Sequence, residues 1–243
     1  MNQFARIEQL LGQAAVDKIK QARVAVFGLG AVGSFATEAL ARSGVGYLRL
    51  VDFDRVDASN INRQLYALNS TIDKEKAEVA KARVRDINPA CELSVHSAFV
   101  NAESLTDLLS SDLDVVVDAI DGLNSKVNLI LGAKERGLNL VSSMGAGGRT
   151  DPSMIRTGDL FKSKNCPLAR LVRQRLRRRG LEKGVHCVYS IETPLNKQPY
   201  KEADAGDAHE GLGRARAPIG TVAWVPGCFG LTLAAEAVKL ITR

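Results

Sequence analysis

The stretch that decides the fold runs from Arg23 to Gly33 and reads RVAVFGLGAVG. Its first five residues are a short, largely apolar run, typical of a buried strand in a parallel sheet. The glycines then follow the spacing G-x-G-x-x-G and open a predicted helix, Ala31–Arg42. Gly28 permits a tight turn, Gly30 lets the backbone approach a phosphate, and Gly33 lets helix and strand pack closely. This context predicts a nucleotide site without naming the nucleotide.

Outward from this stretch, strand and helix alternate for about 120 residues, which is the rhythm of a doubly wound, mostly parallel α/β sheet of the Rossmann type. The predicted strands are Arg23–Phe27, Tyr47–Val51, Glu92–Ser97, Asp114–Asp118 and Leu138–Ser142, and the predicted helices are Ala31–Arg42, Lys74–Ile87, Asn101–Leu109 and Asn124–Arg136.

The rhythm breaks after Ser143. We expect one domain over residues 1–243, with a nucleotide-binding core at about 14–148 and a substrate-binding part at about 149–243. A late apolar stretch, Thr221–Ile241, contains a proline and two charged residues, which favours a buried helix over a membrane span. The further predicted elements are a basic helix Cys166–Gly180, a strand Val185–Ile191, a polar loop Thr193–Ala217, a strand Ile219–Val225 and a helix Cys228–Thr242.

Composition sets weaker limits. Lysine and arginine number 33 against 27 acidic residues, so the net charge of +6 permits an anionic partner without requiring one. Four cysteines occur without any C-x-x-C pair, which argues against a zinc knuckle or a thioredoxin-like motif. Scattered thiols and an N-terminus that carries charges rather than an apolar leader lead us to expect a cytoplasmic protein.

Polar residues after the second predicted strand point to a triphosphate. Asp52 ends that strand, 19 residues after Gly33, where a carboxylate can accept both ribose hydroxyls. Asp54 follows and is open to a metal or a loop role. Arginine, asparagine and lysine side chains next to a glycine loop suit phosphate oxygens and leave an NAD site without a reason for them. These residues are Asn60, Arg63, Gln64 and Lys76.

Two acids flank the end of the fourth predicted strand, Asp118 and Asp121. Ligands bind at the carboxyl ends of such strands, and a carboxylate there can hold Mg²⁺ that bridges phosphate oxygens. We expect Asp121 to be the metal ligand and Asp118 to support the loop or the adenosine side.

The predicted helix Cys166–Gly180 has an apolar face and many arginines away from it. Such a charge run is often only a solvated face. Six arginines with almost no compensating acid also form a natural footprint for nucleic-acid phosphates. The candidates for that contact are Arg170, Arg173, Arg177 and Arg178, with Arg175 and Arg179 nearby.

The pattern G-x-G-x-x-G, D-x-D, S-N-x-x-R-Q, a downstream lysine and D-x-x-D resembles the ubiquitin-activating-enzyme superfamily of adenylyltransferases, over about Phe4 to Gly148. The resemblance implies ATP and Mg²⁺ as cofactors, with Asp52 on the ribose and Asp121 on the metal. It also implies that Asn60, Arg63 and Lys76 contact the triphosphate. Arg6 matches an arginine that reaches the ATP of the partner subunit in these dimers, so a homodimer is implied.

Sulfur-carrier activators of this superfamily usually have a C-x-x-C…C-x-x-C zinc site, which this chain lacks. Three stretches, Ser142–Pro152, Cys166–Gly180 and Gly184–Pro194, are instead similar to the threonylcarbamoyladenosine dehydratases, which cyclise a modified tRNA adenosine next to the anticodon. The resemblance implies adenylation of the threonyl carboxylate, ring closure and loss of AMP. It implies tRNA, not DNA, as partner. Relatives in this branch can hold a monovalent cation (Na⁺ or K⁺), whose site the sequence does not locate, and assistance by a sulfur-transfer protein stays open.

Three alternatives stay open on the sequence. An activator of a ubiquitin-like sulfur carrier would need a groove for a peptide C-terminus. A NAD-dependent oxidoreductase would give no role to Asn60, Arg63 and Lys76. An inactive RNA- or partner-binding relative would not need the full set of ATP residues.

Overall fold

The computed structural model describes residues 3–195 and 219–243, which form one seven-stranded sheet with helices on both faces. The strands are β1 Arg23–Phe27, β2 Tyr47–Val51, β3 Glu92–His96, β4 Val115–Asp118, β5 Asn139–Ser143, β6 Ile155–Asp159 and β7 His186–Ser190. The helices are α1 Ala5–Leu11, α2 Gln13–Gln21, α3 Gly33–Arg42, α4 Lys76–Ile87, α5 Leu105–Leu108, α6 Leu123–Glu135, α7 Pro167–Arg177 and α8 Trp224–Thr242.

The strand order is β3-β2-β1-β4-β5-β7-β6, and every pairing is parallel except that of β6 with β7. The order reverses direction between β1 and β4, whose last residues, Phe27 and Asp118, are paired. In a doubly wound sheet the ligand crevice opens beyond the carboxyl ends of the strands at this switch point. The predicted doubly wound α/β fold is therefore confirmed, and it places the glycine loop beside the Asp118–Asp121 turn.

Alternate residues of the central strands bury against opposite helix layers. Val24 and Val26 of β1 belong to the core that α3, α4 and α8 cover, whereas Ala25 and Phe27 face the core under α6 and α7. This explains why the strand is apolar at successive positions, since a parallel strand covered on both faces has no solvent side.

Helix α8 is long and apolar enough to cross a membrane by length and composition, and half of its most apolar window is buried in the fold. It packs on α3 and on β4, β5 and β7. A Cβ atom on Gly230 would lie 2.3 Å from the carbonyl oxygen of Val32, so glycine lets α8 approach the start of α3. The prediction of a buried C-terminal helix is confirmed.

Several sequence predictions are wrong in detail. Residues 219–223 form no strand, and α8 begins at Trp224 rather than Cys228. Pro226, which counted against a membrane span in the sequence, lies in the first turn of α8, where its missing N–H would have no partner. Helices α1 and α2 and the polar edge strand β6 were not predicted. The expected helix Asn101–Leu109 shrinks to α5, and the expected loop Thr193–Ala217 lies mostly outside the described residues.

Candidate nucleotide site

The glycine loop follows β1 at the switch point and is shaped by backbone contacts. Gly28 has φ +87°, and a Cβ atom there would lie 2.7 Å from the carbonyl oxygen of Ala119. A Cβ atom on Gly33 would lie 1.7 Å from the carbonyl oxygen of Gly28. Gly30 differs, because the nearest atom to its Cβ position is Nε2 of Gln64 at 3.7 Å. The first and third glycines close the turn, and the second leaves room for a ligand.

Helix α3 starts directly behind this loop, and within the described part of the chain no side chain caps its N-terminus. The first N–H groups of a helix have no partner inside the helix, and the helix dipole makes that end favourable for an anion. Loop and helix together form a cradle that suits phosphate oxygens.

Asp52 stands at the end of β2 and is held by the backbone. Its Oδ2 accepts a hydrogen bond from the N–H of Leu29 at 2.6 Å, and its Oδ1 accepts one from the N–H of Asp54 at 2.9 Å. Burial raises the pKa of Asp52, and the positive charge of Lys76 opposes that rise. Each carboxylate oxygen keeps a further lone pair, so the group can still accept ribose hydroxyls.

Lys76 is the first residue of α4, and its side chain is only 6% exposed. Its ammonium donates to Oδ2 of Asp54 at 2.8 Å. The sequence left the role of Asp54 open between a metal and the loop, and the structure makes it the counterion of Lys76. This pair holds the lysine charge beside Asp52, on the nucleotide side of the sheet.

The segment between β2 and α4 brings the remaining phosphate candidates together. Asn60 is buried, and its Oδ1 accepts from the N–H of Asp57 at 3.3 Å. Arg63 is half-buried and donates to the carbonyl oxygen of Ser59 at 2.6 Å. Gln64 lies beside Gly30, and its Oε1 is buried without a partner within the described residues. An unsatisfied amide oxygen next to an open loop is costly, and a ligand or water donor would relieve it.

Asp121 lies at the mouth of the crevice, in the turn that follows β4. Its side chain is exposed and interacts electrostatically with Arg63. Burial lowers the pKa of Arg63, and the negative charges of Asp121 and Asp57 oppose that shift. Within the described residues no three His, Cys, Asp or Glu side chains cluster as a closed metal cage. One carboxylate is enough for Mg²⁺ when the other ligands are phosphates and water.

A buried cluster lies directly behind this turn. The sequence predicted that Asp118 supports the loop, and its Oδ1 does accept from the N–H of Ile120, but the two partners of Asp118 were missed. Asp118, Ser142 and Lys126 are completely buried, and the Lys126 ammonium lies 2.7 Å from Oδ2 of Asp118. Lys126 shares a helical face with Leu123 and Leu129, three residues before and after it, which is a weak sequence signal for burial. Its partner Asp118 lies only eight residues earlier, but the sequence does not show that the lysine turns into the core, and Ser142 meets Asp118 only when β4 and β5 pair.

Arg6 is not brought to this site within one chain. It is exposed on α1, a helix without buried residues. Phe4 lies against Gly44, which follows the C-terminal end of α3. The glycine loop is at the other end of that ten-residue helix, about 15 Å away along its axis.

Helix α7 lies along the same edge of the sheet. Near its start, Leu168 lies beside Gly145, just after β5, and near its end Arg175 bonds Asn124 at the start of α6. The apolar face of α7, which includes Val172 and Leu176, is buried against the fold. The basic helix is thus adjacent to the Asp118–Asp121 turn.

The arginines in and just after α7 fall into two groups, those with partners inside the protein and those exposed to solvent. Arg173 donates to the carbonyl oxygens of Leu160 and Ser163, and Arg177 stacks on the ring of Phe161 with its guanidinium carbon 5.6 Å from the ring centre. Within the described residues, no internal partner is found for the exposed side chains of Arg170, Arg178 and Arg179.

Two shallow clefts flank the site. One of about 460 Å³ lies beside the start of α4, between Arg55 and Glu78, and contains no glycine-loop residue. A smaller one of about 150 Å³ is lined by the residues after β5, such as Gly148 and Thr150, and by Thr221. Asn62 donates to the carbonyl oxygen of Thr221, so the smaller cleft adjoins the segment that carries Arg63.

Comparison with known proteins covers the whole fold. The model of the ThiF family matches residues 3–243. The tRNA threonylcarbamoyladenosine dehydratase of Bacillus subtilis is 40% identical over 98% of this chain and 94% of its own. The E. coli enzyme TcdA, solved in complex with ATP, superposes with a TM-score of 0.87 at 34% identity and covers 98% of this chain and 93% of its own. A molybdopterin-synthase adenylyltransferase of Salmonella typhimurium is 34% identical over only 52% of this chain.

Proposed function

The chain belongs to the ThiF family, and we propose that it is an ATP-dependent dehydratase of threonylcarbamoyladenosine next to the anticodon of tRNA. The observation that carries the proposal is the juxtaposition of two features at one edge of the sheet. The glycine loop and its cations suit a triphosphate, and the basic helix α7 lies beside them. Relatives that cover this chain almost end to end have this activity by name.

In the proposed reaction the threonyl carboxylate attacks the α-phosphorus of ATP, and pyrophosphate leaves. The acyl-adenylate is then attacked from within the threonylcarbamoyl group, which closes the ring and releases AMP. The glycine loop and the start of α3 hold phosphate oxygens, while Asn60, Arg63 and Lys76 offset the charge that develops on them. Asp52 orients the ribose. The protein contributes position and charge, and no cysteine nucleophile is needed.

Mg²⁺ is part of this proposal, with Asp121 as its protein ligand. Held by Asp121, a magnesium ion would supply positive charge to the triphosphate. The exposed position of Asp121 near Arg63 supports the assignment, because a carboxylate there could hold the ion close to a cation assigned to the triphosphate. Asp121→Asn should raise the Mg²⁺ concentration needed for half-maximal rate, and an unchanged Mg²⁺ dependence would exclude this ligand.

A homodimer completes the proposed site. Arg6 lies at the far end of α3 from its own glycine loop, which supports a role on the ATP of the partner rather than on its own. The same helix exposes Leu10, which is 81% accessible and suits burial against another copy.

For tRNA we propose that Arg170 and Arg178 provide the main phosphate contacts, with Arg177 beside them. The exposed guanidinium groups are free to neutralise phosphates, which supports the assignment. Arg173 was expected from the sequence to join them. Its guanidinium instead donates hydrogen bonds inside the protein, to the Leu160–Ser163 segment, so we leave it out of the tRNA contacts.

Three further expectations belong to the proposal. The four cysteines are unpaired thiols, three of them buried, which suits the reducing cytoplasm. A monovalent cation (Na⁺ or K⁺) near a dimer interface and a sulfur-transfer protein as partner rest on the resemblance alone. Within the described residues neither has a location.

Nucleotide turnover tests the proposal. Labelled ATP should yield AMP and pyrophosphate when tRNA carrying threonylcarbamoyladenosine is present. The same tRNA sequence made without the modification should give no AMP, because it lacks the carboxylate. AMP formation with a ubiquitin-like carrier protein instead of tRNA would favour the sulfur-carrier alternative. A melting-temperature shift with NAD as large as that with ATP and Mg²⁺ would overturn the ATP site itself.

A further inference from the structure

Three side chains from three elements meet in the interior, directly behind the Asp118–Asp121 turn. Asp118 ends β4, Ser142 lies in β5 and Lys126 in α6, and all three are 0% exposed. Oδ2 of Asp118 accepts from the Lys126 ammonium at 2.7 Å and from the Ser142 hydroxyl at 2.5 Å. Its Oδ1 accepts from the N–H of Ile120 at 3.1 Å.

A buried ion pair of this kind needs a reason. Removing two charges from water costs much of what their attraction returns, and apolar residues of similar volume are often as stable or more stable. Stability alone is therefore a weak explanation for a lysine and an aspartate in this core. A buried, fully hydrogen-bonded pair instead fixes the positions of the segments that carry it, because its groups are satisfied in only one arrangement.

The arrangement fixes the turn between β4 and α6 against the glycine loop. The N–H of Ala119 donates to the carbonyl oxygen of Phe27 at 2.8 Å, and the Cβ position of Gly28 lies 2.7 Å from the carbonyl oxygen of Ala119. Ile120 follows, tied to Asp118, and then Asp121 beside Arg63. A shift of the Asp118 carboxylate would move both walls of the crevice.

We infer that Lys126 and Ser142 are positioning residues of the nucleotide site, which act through the carboxylate of Asp118 to hold Asp121 and the glycine loop in register. The inference rests on the proposed function only in that the crevice binds ATP with Mg²⁺. Both side chains are fully buried, so neither is placed to contact a bound nucleotide. Loss of the Ser142 hydroxyl lowers the affinity for the magnesium–ATP complex more than it lowers the melting temperature. Lys126 is also needed for folding, because its loss leaves the Asp118 carboxylate buried and unpaired.

Ser142→Ala and Ser143→Ala form a matched pair. Both hydroxyls are buried in neighbouring residues of β5, but that of Ser143 donates to the carbonyl oxygen of Met144, away from Asp118. Binding of ATP is measured by calorimetry on the full-length protein without tRNA, across a series of Mg²⁺ concentrations. Ser142→Ala should weaken ATP binding about tenfold, because a hydrogen bond to a carboxylate is lost. Ser143→Ala should change it less than about twofold.

Lys126 is tested through a double variant, since Lys126→Met alone leaves the Asp118 carboxylate buried and unpaired and is expected to unfold readily. Lys126→Met combined with Asp118→Val removes both charges, so the melting temperature should rise again above that of the single variant. ATP affinity should stay low, because Ile120 has lost its acceptor. A double variant that regains both melting temperature and ATP affinity would show that the cluster serves folding alone.

The outcomes separate this inference from the proposed function. If the wild-type protein binds ATP and the two serine variants bind it equally, the positioning role is wrong whatever the reaction is. If the wild type binds ATP but does not dehydrate modified tRNA, the proposed reaction is wrong, and the serine pair still decides the positioning role. A wild type that binds no ATP overturns both.

Discussion

The cations of the nucleotide crevice and those of α7 lie at the same edge of the sheet but are held in opposite ways. Lys76 is buried and paired with Asp54, whereas Arg170 and Arg178 are exposed to solvent. A charge that must meet one phosphate has to be fixed before the ligand arrives, since fixing it later would cost entropy. Charges that attract a polyanion act through their number and need no fixed geometry. On the proposed function, the difference in burial therefore distinguishes the cation assigned to ATP from those assigned to tRNA.

The largest expected effect is on the crevice side of this comparison. Lys76→Ala should lower the rate of AMP formation about 100-fold or more, because it removes a positioned charge from the triphosphate. Lys74→Ala, an exposed lysine two residues earlier, is the control and should leave the rate within about twofold. Equal losses in the two variants would mean that lysine charge in general, not the buried position, matters.

Arg6 sharpens the comparison, because it is an exposed cation to which we assign a chemical role. Arg6→Ala should be nearly as inactive as Lys76→Ala. If Arg6 acts across the dimer, mixing the two inactive proteins should restore up to about a quarter of the wild-type activity per site, since hybrid dimers contain one intact site. The rate of AMP formation after subunit exchange measures this. No recovery despite proven exchange would place Arg6 outside the site.

Variants of the arginines in and just after α7 test the role of the exposed cations. Replacement of Arg170 and Arg178 by glutamine should leave melting temperature and ATP affinity unchanged while tRNA affinity falls. The slope of log affinity against log salt should flatten by roughly one unit per lost phosphate contact. Arg173→Gln should do the reverse, with a melting temperature lower by a few degrees and an unchanged slope, because its hydrogen bonds are internal. Filter binding at several salt concentrations measures the tRNA affinity and its slope, and thermal unfolding measures the melting temperature of each variant.

The smallest effect concerns an ion-pair network that belongs to neither group. Glu38 of α3 pairs with Arg42 and Arg83; burial alone would raise its pKa, and these hydrogen bonds hold it below the usual value. A lowered carboxyl pKa gives stability that is present above the unfolded pKa of 4.5 and is lost as pH falls through the folded value. Glu38→Gln should therefore lower the unfolding free energy by about 1 kcal/mol at pH 7 and by less below pH 4.5.

The control for this network is Glu78→Gln, since Glu78 pairs with Lys81 on an exposed helix face. Its effect should be near zero at every pH. A Glu38 effect that grows in acid, or a loss of ATP affinity in Glu38→Gln, would contradict a purely structural role.

Whether a site residue could be predicted from the sequence depends on how local its interactions are. The glycine loop and Asp52 were predictable, because strand, turn and helix follow one another within 30 residues. Ser142 was not, since it meets Asp118 only when β4 and β5 pair. Lys126 lies only eight residues after Asp118, but the sequence does not show that α6 turns this side chain into the core. The internal bonds of Arg173 likewise depend on the Leu160–Ser163 segment folding back on α7.

The errors near the C-terminus have a similar origin. The run Ile219–Val225 looks like a strand by composition, yet Ile219 is 65% exposed and Trp224 begins a helix. Which state such a short apolar run takes is decided by what covers it. Strand β6 was missed for the opposite reason, since a short polar edge strand containing Gly158 carries almost no apolar alternation.

The most direct test of the account is the mass of the modified nucleoside. The protein is incubated with ATP, Mg²⁺ and tRNA that carries threonylcarbamoyladenosine, and the tRNA is then digested to nucleosides and analysed by mass spectrometry. We predict that threonylcarbamoyladenosine loses one water, in parallel with AMP formation, and that Lys76→Ala abolishes both. An unchanged nucleoside mass in the presence of bound ATP would contradict the proposed dehydration.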